Sequence, residues 1–110
     1  AAQHKLNNLY VVLDYNKLQG FGSTKDIIDL EPIKSKFISF NWNVVESNGH
    51  NIKILLKALK SFRNQKARPN LIIAHTIKGK NVKFMENKFE SHYQVLDRKE
   101  YNLALKGLGN

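Results

Sequence analysis

A chain of 110 residues without cysteine has room for one domain with a modest core, and it excludes disulfides and thiolate metal sites. Its composition, 42% hydrophobic and 25% charged residues, is ordinary for a soluble globular protein, and no apolar run is long enough to span a bilayer. The 18 Lys and Arg residues give a net charge of +9 but are spread from Lys5 to Lys106 without a nucleic-acid-binding motif. A solvated basic surface, or one that faces an acidic partner, is therefore favoured over a nucleic-acid site.

The first residues resemble an internal segment of a longer chain. Residues 1–6 are interpreted as the last turns of a helix, and they include neither an initiator Met nor a segment typical of a signal peptide. We therefore expect a piece of a longer, cytoplasmic protein, with residues 1–110 forming a single domain or a fragment of one.

The first strand is predicted at residues 9–13, where five apolar residues indicate a strand buried on both faces. A loop from Asp14 to about Lys25 follows. In an open parallel sheet, ligands bind at the loops that leave the carboxyl ends of strands. The side-chain amide of Asn16 and a backbone carbonyl two residues away suit a hard cation such as Mg²⁺ that carries phosphate oxygens.

The next two elements are a helix and a second strand. The helix is predicted to begin near Pro32, because proline is tolerated in the first turn, where its missing N–H is not needed. Ile33, Phe37 and Phe40 fall at helical spacing on one face. The second strand is predicted at residues 42–46, with Trp42 in the core.

A second helix has the clearest periodic pattern in the chain. Asn51 is a good N-cap for it. The apolar residues then recur on one face, which predicts a stripe buried in the core: Ile52, Leu55, Leu56, Leu59 and Phe62.

The last part of the chain contains a strand, a long loop and a helix. The strand at residues 71–74 is predicted to be buried on both faces, and the loop from residue 76 to about 96 carries Lys78 and His92. The closing helix is predicted at residues 97–108, with four residues facing inward: Tyr101, Ala104, Leu105 and Leu108.

This alternation of strands and helices predicts an α/β fold, a parallel sheet with helices on both faces. The loops that carry Asn16, His50 and His92 then all leave the carboxyl ends of strands. They share one rim of the sheet, so we expect them to converge on one ligand.

Several short runs in this sequence, in order and at regular spacing, are those of a known family. Together they resemble the second half of the thiamine-diphosphate-binding domain of transketolases, and the resemblance implies the fold of that domain. The runs are Lys5-Leu6-Asn7-Asn8-Leu9, Asp14-Tyr15-Asn16-Lys17-Leu18-Gln19, Asp29-Leu30-Glu31-Pro32, Asn48-Gly49-His50-Asn51, Ile73-Ala74-His75-Thr76-Ile77-Lys78-Gly79-Lys80, Phe84-Met85-Glu86-Asn87, Ser91-His92 and Glu100-Tyr101.

The resemblance implies a role for four residues. Asn16 and the backbone carbonyl of Leu18 match the Mg²⁺ ligands of the family. Lys78 matches a basic residue near the cofactor diphosphate. His92 matches a histidine beside both the diphosphate and the reacting sugar, and we expect it to be a catalytic residue.

This chain departs from the family pattern in three places. The Gly-Asp-Gly segment that supplies an Asp ligand is absent, and Gly20-Phe21-Gly22 stands where Ile-Asp-Gly is usual. Tyr93-Gln94 replaces the usual glycine after the histidine. This last pattern resembles split, two-subunit transketolase-like proteins.

The implied reaction moves a two-carbon ketol unit from a ketose phosphate to an aldose, with thiamine diphosphate and Mg²⁺ as cofactors. The implied partners are sugar phosphates and the remaining pyrimidine-binding domain or subunit, in a homodimer or a heterotetramer. Because the glutamate that activates the cofactor belongs to that other domain, we expect the 110 residues alone to be inactive.

Other interpretations of the chain remain open. It is alternatively a non-catalytic docking subunit, a basic nucleic-acid-binding domain, or another thiamine-diphosphate enzyme such as deoxyxylulose-phosphate synthase. Asn16 alone is also typical of a turn, Lys78 of a solvated loop and His92 of a surface. His50 is expected to be structural, and His75 to be a hydrogen-bonded histidine of the core.

Overall fold

The computed structural model describes residues 1–109, which form two compact units. One unit consists of Ala1–Tyr15 and Leu30–Thr76, and the other consists of Asn16–Asp29 and the segment that begins at Ile77. In chain order the elements are β1 (Tyr10–Tyr15), β2 (Leu18–Gln19), β3 (Gly22–Ser23), α1 (Thr24–Ile27), α2 (Ile33–Ser39), β4 (Asn43–Asn48), α3 (Ile52–Ser61), β5 (Asn70–His75), a 3-10 helix (Phe89–His92) and α4 (Arg98–Gly107).

The first unit is built on a three-stranded parallel sheet with the order β1-β5-β4. In its register, Leu71 of β5 lies between Val11 of β1 and Val44 of β4. The structure thus confirms the predicted α/β fold and all three predicted strands of the sheet. Because the strands are parallel, their carboxyl ends lie on the same side of the sheet. The last residues of the strands are Tyr15, Asn48 and His75.

Helices cover both faces of this sheet, as predicted. Residues of β5 alternate between the faces: Leu71 and Ile73 pack with Ile33 of α2, whereas Ile72 and Ala74 pack with Ala58 of α3. Two cores therefore share β5, which is buried from Asn70 to Ala74.

The prediction that the first strand is buried on both faces is wrong. Strand β1 lies at the edge of the sheet, and its residues alternate between exposed and half-buried positions before Tyr15. Tyr10 is 42% exposed and Val12 is 56% exposed. The apolar run alone does not distinguish a central strand from an edge strand, because both contain β-branched residues.

Helix α3 begins at the predicted residue, but only part of its predicted apolar stripe is buried. The side chain of Asn51 accepts a hydrogen bond from the backbone N–H of Ile54 at 3.1 Å, which confirms the N-cap. Phe62 and Ala58 are buried and Leu55 is half-buried, but other members of the predicted stripe are exposed: Ile52, Leu56 and Leu59. The three-stranded sheet covers only one side of the apolar surface of the helix.

Two other predictions in the first unit need correction. Residues 1–6 form consecutive turns rather than the end of a helix. Pro32 is the N-cap of α2 rather than a residue of its first turn, and its peptide bond with Glu31 is cis. Phe40 follows the end of the helix and is exposed, whereas Trp42 packs against the core as expected.

The second unit contains the short elements and α4. Asp97 and Glu100 form a reciprocal capping box at the start of α4, close to the predicted helix boundary. Ala104 is buried and Leu105 half-buried, but Tyr101 and Leu108 are exposed, contrary to the prediction. The β2–β3 hairpin, α1 and the 3-10 helix were not predicted. Within residues 1–109, no helix has the length and apolar character needed to cross a membrane.

Candidate functional site

The turn at Asn16 is the first component of the site. Its side-chain oxygen accepts a hydrogen bond from the backbone N–H of Leu18 at 2.9 Å, which is an Asx-turn. Between them, Lys17 adopts a left-handed conformation with φ of 63°. The amide oxygen has two lone pairs, so it keeps one acceptor position for a further partner.

The β2–β3 hairpin holds this turn in place. Leu18 pairs with Ser23 and Gln19 with Gly22 across the hairpin. The carbonyl of Lys17 accepts a hydrogen bond from the N–H of Thr24 at 2.9 Å. The backbone that follows Asn16 is therefore fixed by hydrogen bonds rather than left as an open loop.

Lys78 lies in a tight loop at the start of the second unit's long segment. Its carbonyl accepts a hydrogen bond from the N–H of Asn87 at 3.0 Å, which closes the loop. Gly79 has φ of 69° and lies so close to the backbone of Met85 that a side chain at this position would overlap it. The half-buried Lys78 is thus presented by a loop with little freedom.

His92 is the last residue of the 3-10 helix and is exposed. The helix is held at its start by the Ser91 hydroxyl, which donates to the carbonyl of Lys88 at 2.7 Å. It is held at its end by the N–H of Tyr93, which donates to the carbonyl of Glu90 at 3.0 Å. The imidazole is therefore placed by a short, hydrogen-bonded segment.

These residues line one cavity of about 140 Å³ within the second unit. Its lining consists of Asn16, Leu18, Gln19, Lys78 and His92. All four residues that the sequence singled out are thus brought together, although they are separated by up to 76 positions along the chain (92 − 16 = 76). Gln19 is an additional lining residue, and its place at the end of the run 14–19 was the signal for it.

A larger groove in the same unit has a different lining. It has a volume of about 560 Å³ and lies between the segment Asn81–Glu86 and α4. Its lining includes Phe84, Leu103 and Lys106 but none of the predicted site residues. We therefore take the smaller cavity as the candidate site because polar side chains converge on it, although the groove is larger.

The other histidines have surroundings of a different kind. His75 was expected in the core, but it lies exposed at the end of β5, with its Nε2 atom 3.4 Å from a carboxylate oxygen of Glu46. The correction follows from its position as the last residue of the strand. The backbone N–H of His50 donates to the side chain of Asn48 at 2.9 Å in a turn of the first unit.

The donor set suits an anion that carries a divalent cation. Lys78 and His92 offer N–H groups to phosphate oxygens, while Asn16 and the carbonyl of Leu18 offer oxygens to a hard cation. At about 140 Å³ the cavity is below the ~300–1,000 Å³ typical of sites for whole cofactors, so it suits only the diphosphate end. Residues 1–109 contain no cluster of three or more His, Cys, Asp or Glu side chains able to hold a metal.

Comparison with known proteins connects this geometry to a family. The family described as transketolase, thiamine diphosphate binding domain, matches residues 1–110. One of the subunits of apulose-4-phosphate transketolase from Actinobacillus succinogenes is 39% identical over 98% of this chain, which corresponds to 39% of that protein. The subunit of the same name from Phocaeicola vulgatus is 34% identical over 94% of this chain and 37% of that protein.

Solved structures give the same result for the fold. The transketolase from Campylobacter jejuni superposes on 99% of this chain with a TM-score of 0.89 and 28% identity, and the match covers 17% of that chain. This chain therefore spans less than two fifths of the length of the curated relatives and a smaller part of the solved enzyme. It belongs to the transketolase family and corresponds to part of the thiamine diphosphate binding domain.

Proposed function

We propose that this chain is part of a transketolase-like enzyme that depends on thiamine diphosphate and Mg²⁺. The enzyme moves a two-carbon ketol unit from a ketose phosphate to an aldose. The observation that carries the proposal is the single cavity lined by Asn16, Leu18, Lys78 and His92. An amide oxygen, an ammonium group and an imidazole on one small cavity are what a metal-bound diphosphate requires.

The metal is assigned to the Asn16 turn. Because Leu18 N–H uses one lone pair of the Asn16 oxygen, the second is available to Mg²⁺. The carbonyl of Leu18 is the other ligand that this chain provides. Mg²⁺ prefers about six oxygen ligands in an octahedral arrangement, so phosphate oxygens, water and the rest of the protein complete the shell.

Lys78 and His92 are assigned to the other side of the diphosphate. The ammonium group of Lys78 compensates negative charge, and its loop fixes it at the cavity wall. His92 donates a hydrogen bond from its ring and is also the residue nearest to the sugar in this proposal. When bound, thiamine diphosphate supplies the nucleophile and the electron sink for the two-carbon unit, while this chain's residues bind and orient it.

The partners follow from the relatives. Two relatives are named as one of the subunits of apulose-4-phosphate transketolase, and a relative from Clostridium sp., 34% identical over 98% of this chain, is named 6-deoxy-6-sulfo-D-fructose transketolase subunit SqwG. We infer that this chain likewise works with a second subunit that contains the pyrimidine-binding domain. Phosphorylated or sulfonated sugars are the proposed substrate class, in a heterotetramer or a homodimer.

The proposal is tested in the assembled enzyme with Asn16→Ala. We expect the apparent affinity for Mg²⁺ to fall at least about tenfold, because a direct ligand is lost. Asn102→Ala, which replaces an exposed asparagine of α4, is the matched control and should leave the affinity unchanged. If Asn16→Ala retains full Mg²⁺-dependent activity, the chain is a docking subunit that keeps the fold without the chemistry.

A further inference from the structure

Tyr93 lies directly over Gly20 in the second unit. A methyl group built on Gly20 would overlap the Tyr93 hydroxyl oxygen and would lie 3.3 Å from the ring carbon Cζ. The φ angle of Gly20 is not in the left-handed region, unlike that of Gly22 or Gly79. A side chain at position 20 therefore has room only if the Tyr93 hydroxyl moves away, and the backbone conformation of Gly20 does not itself require glycine.

The same tyrosine also contacts His92. The two rings meet edge to face, with their centroids 4.9 Å apart and their planes at 88°. Such a geometry is favourable for aromatic pairs and restricts the rotation of both rings. One side chain thus contacts the catalytic candidate at one end and the hairpin turn at the other.

The hairpin turn is directly connected to the lining of the cavity. Gly20 follows Gln19 in the chain, and Gln19, Leu18 and His92 all line the cavity. Tyr93 therefore contacts both the segment that carries His92 and the turn that follows β2.

We propose that Tyr93, seated on Gly20, is a positioning residue that fixes the His92 imidazole for the diphosphate of the cofactor. The inference rests on the proposed function of the cavity and adds two residues to it. Neither Tyr93 nor Gly20 lines the cavity, so they act through His92. An error of about 1 Å in the placement of such a group is large enough to reduce catalysis by a factor of about 100.

A purely structural role does not explain the arrangement. Tyr93 is 62% exposed, so it buries little apolar surface and contributes little to the hydrophobic core. Its ring contact with His92 is therefore not explained by burial in a core.

The test is a set of variants in the assembled enzyme, with calorimetric titration of thiamine diphosphate in the presence of Mg²⁺. Gly20→Ala and Tyr93→Ala should each weaken cofactor binding at least about tenfold. Tyr93→Phe keeps the ring contact with His92 but lacks the hydroxyl that lies over Gly20, so it should weaken binding less than Tyr93→Ala does. It should also partly rescue Gly20→Ala, because the methyl group then meets a ring edge and no hydroxyl.

Two further variants separate positioning from folding. In a His92→Ala background, Gly20→Ala should cause no additional loss of affinity, because the residue through which it acts is gone. Tyr101→Phe removes the hydroxyl of another exposed tyrosine of the same unit and should have no effect. NMR signals of the His92 ring should shift in Gly20→Ala even without cofactor, and they should return toward their original positions in Gly20→Ala/Tyr93→Phe.

The outcomes distinguish this inference from the proposed function on which it rests. If His92→Ala weakens cofactor binding but Gly20→Ala and Tyr93→Ala do not, the positioning role is wrong and the proposed function stands. Losses from Gly20→Ala and His92→Ala that simply add would also overturn the positioning role. If His92→Ala itself leaves the affinity unchanged, the role of His92 in the proposed function fails, and this inference fails with it.

Discussion

The side-chain oxygen of Asn16 lies 2.9 Å from the backbone nitrogen of Leu18, and it accepts the hydrogen bond of that N–H group. The contact organises the turn that links the end of β1 to the β2–β3 hairpin. It also means that the residue proposed as a metal ligand is at the same time a structural residue of the turn. The two roles need to be separated experimentally.

Substitution by Asp separates them. In Asn16→Asp, a carboxylate oxygen still accepts from Leu18 N–H and still offers oxygen to Mg²⁺, so both stability and Mg²⁺ affinity should be kept. In Asn16→Ser, the hydroxyl keeps a weaker version of the turn but is too short to reach the cation in the same way. Titration of activity with Mg²⁺ should therefore show a loss only for Ser. Equal Mg²⁺ affinity in both variants would mean that Asn16 serves the turn alone.

Lys78 has a matched control two residues away. Lys78 is half-buried at the cavity, whereas Lys80 is exposed on the same loop and does not line it. Lys78→Ala should weaken binding of thiamine diphosphate by about 1.5–3 kcal/mol, the value of a charge-assisted hydrogen bond, and Lys80→Ala should not. Calorimetry of the assembled enzyme at two salt concentrations measures both. A similar, strongly salt-dependent loss for the two variants would instead indicate general attraction to a basic surface.

Strand β5 should dominate the stability of the first unit. Ile73 is 2% exposed and belongs to one buried cluster with Tyr15 and Ile33, so Ile73→Ala should lower the free energy of unfolding by about 2–5 kcal/mol. Val12 lies on the exposed side of β1, so Val12→Ala should cost less than about 1 kcal/mol. Urea unfolding followed by circular dichroism gives both values. Equal losses would contradict the division between central and edge strands.

The 110 residues alone should neither bind thiamine diphosphate tightly nor turn over substrate. The cavity in residues 1–109 is large enough only for the diphosphate end, and it provides no carboxylate cluster for the metal. Calorimetry of the isolated chain with thiamine diphosphate and Mg²⁺ should show no saturable binding in the micromolar range. Micromolar affinity would show that one subunit holds the complete cofactor site.

The sequence predicted the sheet well because its strands are short apolar runs flanked by turn residues. Burial on both faces was predicted correctly for β5 but not for β1, since burial depends on strand order and therefore on pairing between distant segments. The apolar side of α3 was predicted as one stripe, and only the side that meets the sheet is buried. Periodicity identifies an amphipathic helix, but the neighbouring elements decide which of its apolar residues are covered.

The candidate site was likewise predicted only in part. The resemblance to the family identified Asn16, Lys78 and His92, which the structure places on one cavity. It marked Gly20 and Tyr93 only as departures from the family pattern. It did not predict the close contact between these residues, which are 73 positions apart (93 − 20 = 73). Such contacts depend on the packing of loops, and no local pattern in a single sequence records them.

The unpaired edge of strand β1 affects how the chain should behave when it is produced by itself. Within residues 1–109, β1 is an edge strand, and its side chains Tyr10 and Val12 are exposed to solvent. Two apolar residues of α3 are exposed as well, Ile52 and Leu56. An unpaired edge strand is a template for aggregation, and exposed apolar side chains elsewhere on the unit add to this tendency. Production of this polypeptide by itself should therefore give inclusion bodies or soluble aggregates, and co-expression with the proposed second subunit should increase the yield of soluble, non-aggregated protein.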